Sequence, residues 1–255
     1  MDIEKIRNVF TRLFNNPIQE SVNLANYFIE KIKYFICYVI KIQSYFIVYE
    51  GHNELLKYLD NKKNGFFIEC GGNNGRNFDP TYYLEKMLGW KGIIIEPLPI
   101  YKECSDIRRN SKVYNFALVE NSYPKKEITI IECNMMSIVK GVKGYKNWTR
   151  IGEKTQKIKA KEITVPASTL NKIVQGYFSS NETRKIDLLV IDTECYEINV
   201  LQGFDLNRYE PQMILIEIQD QSKKKFIANY LSAKYKLISK IGYNDYLYQL
   251  QNPND

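Results

Sequence analysis

The chain has 255 residues, 44% of them hydrophobic and 25% charged, the balance of a soluble globular protein with one well-buried domain and an appendage. Its net charge of +7 favours anionic partners such as phosphates or nucleic acid, but the lysines are spread along the whole sequence, as on a solvated basic surface. A single histidine, His52, excludes a zinc site built on several histidines, and a Ser-His-Asp triad unless His52 is its member. The odd set Cys37, Cys70, Cys104, Cys133 and Cys195 contains no C-x-x-C pair. This argues for reduced thiols in a cytoplasm-like compartment rather than a disulfide framework.

The opening residues, Met1-Asp2-Ile3-Glu4-Lys5, lack the basic-then-apolar pattern of a signal peptide. Residues 1–60 read as a helical extension: Leu24, Tyr27, Phe28, Ile32 and Phe35 recur at helical spacing, and no glycine precedes Gly51. The aromatic stretch from Tyr27 to Tyr49 is interrupted by Glu30, Lys31, Lys33 and Lys41, and its longest uncharged run is too short to span a bilayer. It is expected to pack on the domain or on a second copy of the chain, which predicts a homo-oligomer joined through these helices; lying on a membrane surface is the alternative. His52 is expected in a surface loop.

From Gly65 the pattern changes to short β-branched runs alternating with helical segments, the mark of a mostly parallel sheet covered on both faces. Strands are expected near 66–69, 92–96, 113–117, 186–192 and 213–217, with a closing hairpin at 235–241 and 245–250. Helices are expected near 80–88, 100–108, 168–175, 196–202 and 224–231. In Phe66-Phe67-Ile68-Glu69-Cys70-Gly71-Gly72-Asn73-Asn74-Gly75 an apolar strand ends in a carboxylate and passes into a glycine turn; Asp79-Pro80 then opens a helix. Glu96 ends the next apolar run, at the distance where an acid binds ribose hydroxyls in dinucleotide folds. The spacing is not G-x-G-x-x-G, and no G-x-x-x-x-G-K-[ST] loop occurs. Residues 125–164 match neither strand nor helix and are expected to form an irregular lid or substrate loop.

Glu69, Glu96, Asp192 and Glu217 all fall at strand ends, on the rim where ligands bind open α/β sheets. Like charges crowded on one rim are costly unless a cation, a proton or a hydroxyl relieves them. Asp192 and Glu194 follow a fully apolar strand and are the candidate catalytic residues. The competing expectation is that Asp192 only caps the following helix.

Together these segments resemble the FkbM family of class I S-adenosylmethionine-dependent methyltransferases. The likeness runs through Phe66–Gly75, Leu84–Pro97, Asn115–Leu118, Asp192–Gly203 and Ile214–Glu217, and covers residues 64–250. It implies a Rossmann-like α/β domain over residues 61–255, with a mostly parallel seven-stranded sheet and helices on both faces. It implies that Glu69, Gly71, Asn73 and Gly75 hold the methionine part of S-adenosylmethionine and that Glu96 binds the ribose. Asn115 and Ala117 would lie near the adenine, with Ser137 and Asp192 also near the cofactor. The sequence departs from the family at Cys195, where glycine is usual after the Asp-x-Glu. The implied reaction is O-methylation of a sugar or glycan-type hydroxyl, with Asp192 as first candidate base. Mg²⁺ held by Asp192, Glu194 and Glu217 is a further expectation. The runner-up readings are an RNA 2′-O-methyltransferase, with Tyr145 and Trp148 stacking a base, and an inactive binding protein that keeps the fold.

Overall fold

The computed structural model describes residues 49–178 and 185–251. The expected helices before residue 49, with almost all of the Tyr27–Tyr49 stretch and Cys37, lie outside the described residues. Within the described residues no helix is long and apolar enough to cross a membrane. Residues Val48–Asp255 form one compact unit. It begins upstream of the boundary expected at residue 61 because helix α1 (His52–Tyr58) belongs to its core: Leu55, Leu56 and Leu59 are buried in one cluster with Phe67, Trp90 and Ile94. His52 starts this helix and is 5% exposed, edge-on to the Tyr83 ring at 4.5 Å. The expected surface position for it is corrected accordingly.

The main sheet has seven strands in the order β10 (Tyr235–Ile241), β11 (Asp245–Leu250), β9 (Met213–Glu217), β8 (Leu188–Ile191), β1 (Phe66–Cys70), β2 (Lys91–Ile95) and β3 (Lys112–Tyr114). β8, β1, β2, β3 and β9 pair in parallel, and only β11 runs antiparallel to both its neighbours. The order reverses direction at β1, which has β2 on one side and β8 on the other, so a crevice opens at their carboxyl ends.

Strand alternation divides the core. Phe66, Ile68, Ile93, Ile95, Leu189, Ile191, Ile214 and Ile216 face helices α5 (Leu170–Tyr177), α6 (Glu197–Gln202) and α8 (Gln221–Leu231), through Leu170, Ile173, Val200, Leu201 and Ile227. Phe67, Ile94, Leu188, Val190 and Leu215 face α1, α2 (Tyr82–Leu88) and α3 (Tyr101–Ile107) through Leu55, Leu84 and Cys104. Each fully buried aliphatic side chain contributes about 1.5–3 kcal/mol relative to an exposed one. Central strands are therefore apolar on both faces, which is why they read as continuous hydrophobic runs.

The strand expected at 113–117 is broken. The Asn115 side chain donates to the carbonyls of Glu96 and Pro97, at 3.0 and 2.7 Å. This turns the chain out of the main sheet, and β4 (Ala117–Leu118) joins a second one. Residues 125–164 are not irregular. They form β5 (Glu127–Glu132), β6 (Ile138–Val139), α4 (Tyr145–Gln156) and the start of β7 (Lys161–Ser168), giving a four-stranded sheet in the order β4-β7-β5-β6. Its own small core holds Leu98, Ala117, Val119, Ile128, Ile130 and Val165. A single helical turn not expected from sequence, α7 (Leu206–Tyr209), is capped by Asp205, whose side chain accepts from the Asn207 and Arg208 amides. The hairpin β10–β11 has the expected bounds.

Candidate active site

A cleft of about 490 Å³ opens at the carboxyl ends of β1, β2, β8 and β9. That volume suits a nucleoside-sized cofactor and part of an acceptor. Gly71 forms its floor at the switch point. With φ of +96°, a Cβ there would meet the Asp192 carbonyl oxygen at 1.8 Å, so only glycine fits. The Gly71 and Gly72 amides both donate to the Ile95 carbonyl, tying the loop to β2. Asn73, at φ +43°, turns the loop on, and its backbone amide donates to Glu96 Oε2 at 2.8 Å. The other oxygen of Glu96 accepts from the Leu98 amide at 2.8 Å. A carboxylate has about four lone-pair positions, so Glu96 can still receive two hydroxyls from the cleft. Burial pushes its carboxyl up to about 7, against the pull of the two amides.

Glu69 reaches the cleft but is held from behind. Its Oε2 accepts from the Thr81 hydroxyl at 2.7 Å and lies 3.5 Å from Arg108 Nη1. Fully buried Arg108 also pairs with Asp79 and with Glu85 and donates to Thr81 Oγ1. Asp79 in turn accepts from the Thr81 and Tyr82 amides and so fixes the turn ahead of α2, which begins at Tyr82, two residues later than the expected start at Pro80. Sequence reasoning missed Arg108. It follows a helix with no local pattern, and its partners come from β1, the loop after Gly75 and α2.

On the opposite side stand Asp192, Glu194 and Glu217, with one carboxylate oxygen from each lying within 4.8 Å of the others. Asp245 faces Glu217 across the β11–β9 ladder. Asp192 is open to the cleft, yet recessed enough that burial is the first cause raising its carboxyl, followed by the Glu217 charge. Burial and the charge of Asp192 raise Glu194; burial and the charge of Glu194 bring Glu217 to about 8. Burial also raises Asp245, to about 6. Glu197, the first residue of α6, is buried, and its Oε1 accepts from the Thr193 hydroxyl at 3.4 Å. Asp192 lines the cleft. Glu194 and Cys195 carry φ of +49° and +70°, so the turn expected to want glycine does adopt a left-handed backbone.

Apolar wall residues come from both sides of the cleft: Leu98, Phe116, Ala117 and Leu118, then Ile130, Met135, Met136 and Trp148 from the insert, which also contributes Asn134, Ser137 and Gln156. Of the expected cofactor positions, Glu69, Gly71, Asn73, Glu96, Ala117, Ser137 and Asp192 line the cleft. Ser137 is held by donating to the Asn134 carbonyl and accepting from the Cys133 amide. Asn115 and Gly75 are not cleft-lining; Asn115 is the backbone staple already described, and Gly75, at φ +72°, packs against Arg108 and Cys104.

Glu50, Glu69, Asp79, Glu96, Asp192, Glu194, Glu217 and Asp245 line the cleft, and among the described residues that line it there is no lysine, arginine or histidine. Arg108 balances only the Glu69–Asp79 corner.

A family profile described as "Methyltransferase FkbM domain" matches residues 69–244. Solved structures similar to the chain include a human methyltransferase 10 domain containing protein, at 7% identity over 79% of this chain and 82% of that one, with a TM-score of 0.43. A SAM-dependent methyltransferase from Aquifex aeolicus is 12% identical over 78% of this chain and 88% of that one, with a TM-score of 0.39. No curated protein matches the chain. With the profile spanning most of the sequence and the strand order, the Gly71 turn and Glu96 in place, the chain belongs to the FkbM family of S-adenosylmethionine-dependent methyltransferases.

Proposed function

We propose that the enzyme methylates a hydroxyl of a neutral, polyhydroxylated small molecule of the sugar or glycan type. The observation that carries this reading is the lining of the cleft: eight carboxyl groups and no described basic side chain, within a chain of net charge +7. No basic side chain lines the recess to pair with an acceptor's phosphate, while its carboxyls, ionised or protonated, can hydrogen-bond the hydroxyls of a polyol. The same argument counts against capped RNA, whose phosphates would call for basic contacts. A catalytically inactive binding protein would have no use for a base such as Asp192 at the cleft floor.

Residues fit the cofactor on two counts: the Cβ-free approach at Gly71 and the spare acceptor capacity of Glu96. When bound, S-adenosylmethionine supplies an electrophilic methyl group and leaves as a neutral thioether. The chain's part is to hold the acceptor hydroxyl in line, exclude water and accept the proton. Asp192 takes that proton as the acceptor oxygen gains its bond to carbon. Its raised carboxyl makes it a stronger base once ionised, and such catalysis typically gives about 10²–10⁴-fold. Cys70, Cys104, Cys133 and Cys195 are all free thiols, which supports a reducing, cytoplasmic compartment.

The test is a methyl-transfer assay over neutral glycosides, nucleotide sugars and capped RNA. Transfer to neutral glycosides is expected. Preference for capped RNA would overturn the acceptor class.

A further inference from the structure

The geometry points to a divalent-cation site made by Asp192, Glu194 and Glu217. These residues come from the adjoining ends of β8 and β9, so paired strands fix their spacing. One oxygen from each lies within 4.8 Å of the others. Ligands on opposite sides of an ion at about 2.3–2.6 Å stand about 4.6–5.2 Å apart, so an ion fits between them without rebuilding the site.

A second observation concerns the atoms themselves. Glu194 Oε2 and Glu217 Oε2 are buried and meet no N–H or hydroxyl donor, although the Asp192 and Glu217 carboxyls lie within hydrogen-bonding reach of each other. A buried carboxylate oxygen without a partner is costly, and either a proton or a cation relieves it. The second oxygen of Glu217 accepts from Gln219 Nε2 at 3.1 Å, the kind of outer contact that orients a metal ligand. The nearby Lys223 Nζ is engaged elsewhere, donating to the Cys195 carbonyl. An all-oxygen, all-carboxylate set selects a hard ion such as Mg²⁺, Mn²⁺ or Ca²⁺ over zinc or copper.

The role of the ion rests on the acceptor proposed above. Three protein ligands leave positions open on an ion that takes six or more, and neighbouring hydroxyls of a polyol could fill them. A hydroxyl bound there is more acidic, and the free oxygen of Asp192 can take its proton.

Mn²⁺ alone is the probe, added to the metal-stripped full chain at neutral pH and followed by electron paramagnetic resonance, without cofactor or acceptor. One ion per chain is expected. Glu194→Gln and Glu217→Gln should each weaken binding by at least the ~10-fold that loss of even an outer partner costs. Glu162→Gln, at an exposed pair with Lys140, should change nothing. Circular dichroism checks that the variants fold, and Asp192→Asn serves if one does not. Absence of stoichiometric binding to the wild-type chain would overturn the site, as would undiminished binding in the folded variants; the three carboxyls would then be relieved by shared protons. Failure of the acceptor reading would appear only in the methyl-transfer assay and leave the Mn²⁺ result unchanged.

Discussion

Gly71 and Asp192 meet back to back at the centre of the sheet: a Cβ on Gly71 would stand 1.8 Å from the Asp192 carbonyl oxygen. The cofactor loop and the proposed base are thereby placed by one contact. Gly71→Ala must push these strand ends apart and also strain a φ of +96°. We expect loss of measurable S-adenosylmethionine binding in calorimetry and a lower melting temperature. Wild-type affinity in this variant would show that the loop is not the cofactor floor.

Glu96 should make cofactor binding depend on pH. Burial places its carboxyl at about 7 in the folded chain, against an ordinary value of 4.5. Between those values the folded chain keeps a proton that the unfolded chain has released, so the Glu96 contribution to stability falls as pH rises across that window. Ribose hydroxyls donate to the charged form, so cofactor affinity should instead climb as pH rises through about 7. Glu96→Gln should flatten that climb, and Glu96→Ala should weaken binding by about 1–3 kcal/mol. A pH-independent wild-type affinity would remove Glu96 from the site.

Arg108 should matter for stability before catalysis. It is fully buried among Glu69, Asp79 and Glu85. Arg108→Met leaves three buried acids without their cation and should cost about 3–5 kcal/mol in urea unfolding. A loss below about 1 kcal/mol would mean that water or protons replace the guanidinium easily.

Cys195 sits at φ +70°, in a turn whose left-handed backbone favours glycine. A left-handed backbone costs a side-chain-bearing residue about 1–2 kcal/mol. Cys195→Gly should therefore raise stability by about 1 kcal/mol, less what the freer unfolded chain takes back. Cys195→Ala keeps the strain and should not. Equal melting temperatures for both variants would argue that the turn is unstrained.

The legible parts of the sequence were those with a local cause. β1, β2 and β9 announce themselves because strands buried on both faces are apolar throughout, and the hairpin at Gly242-Tyr243-Asn244 is marked by its turn. Asp192 and Glu96 are legible because strand ends locate the rim. The insert was not, because β5 and β7 are half-exposed strands whose burial comes from a second sheet that no local pattern foretells. Arg108 and His52 were missed for the same reason: a polar residue reads as surface until its distant partners are known. Asn115 was read as a cofactor contact, yet its amide serves the backbone of Glu96 and Pro97.

The most direct measurement is single-turnover methyl transfer to a neutral glycoside by wild type and Asp192→Asn, with cofactor affinity measured in parallel. The asparagine keeps the shape but cannot take the proton. Turnover should fall by about 10²–10⁴-fold, the usual worth of a positioned base, while S-adenosylmethionine affinity stays near wild type. Full activity in Asp192→Asn would contradict the assignment and leave Asp192 as a structural residue of the cleft floor.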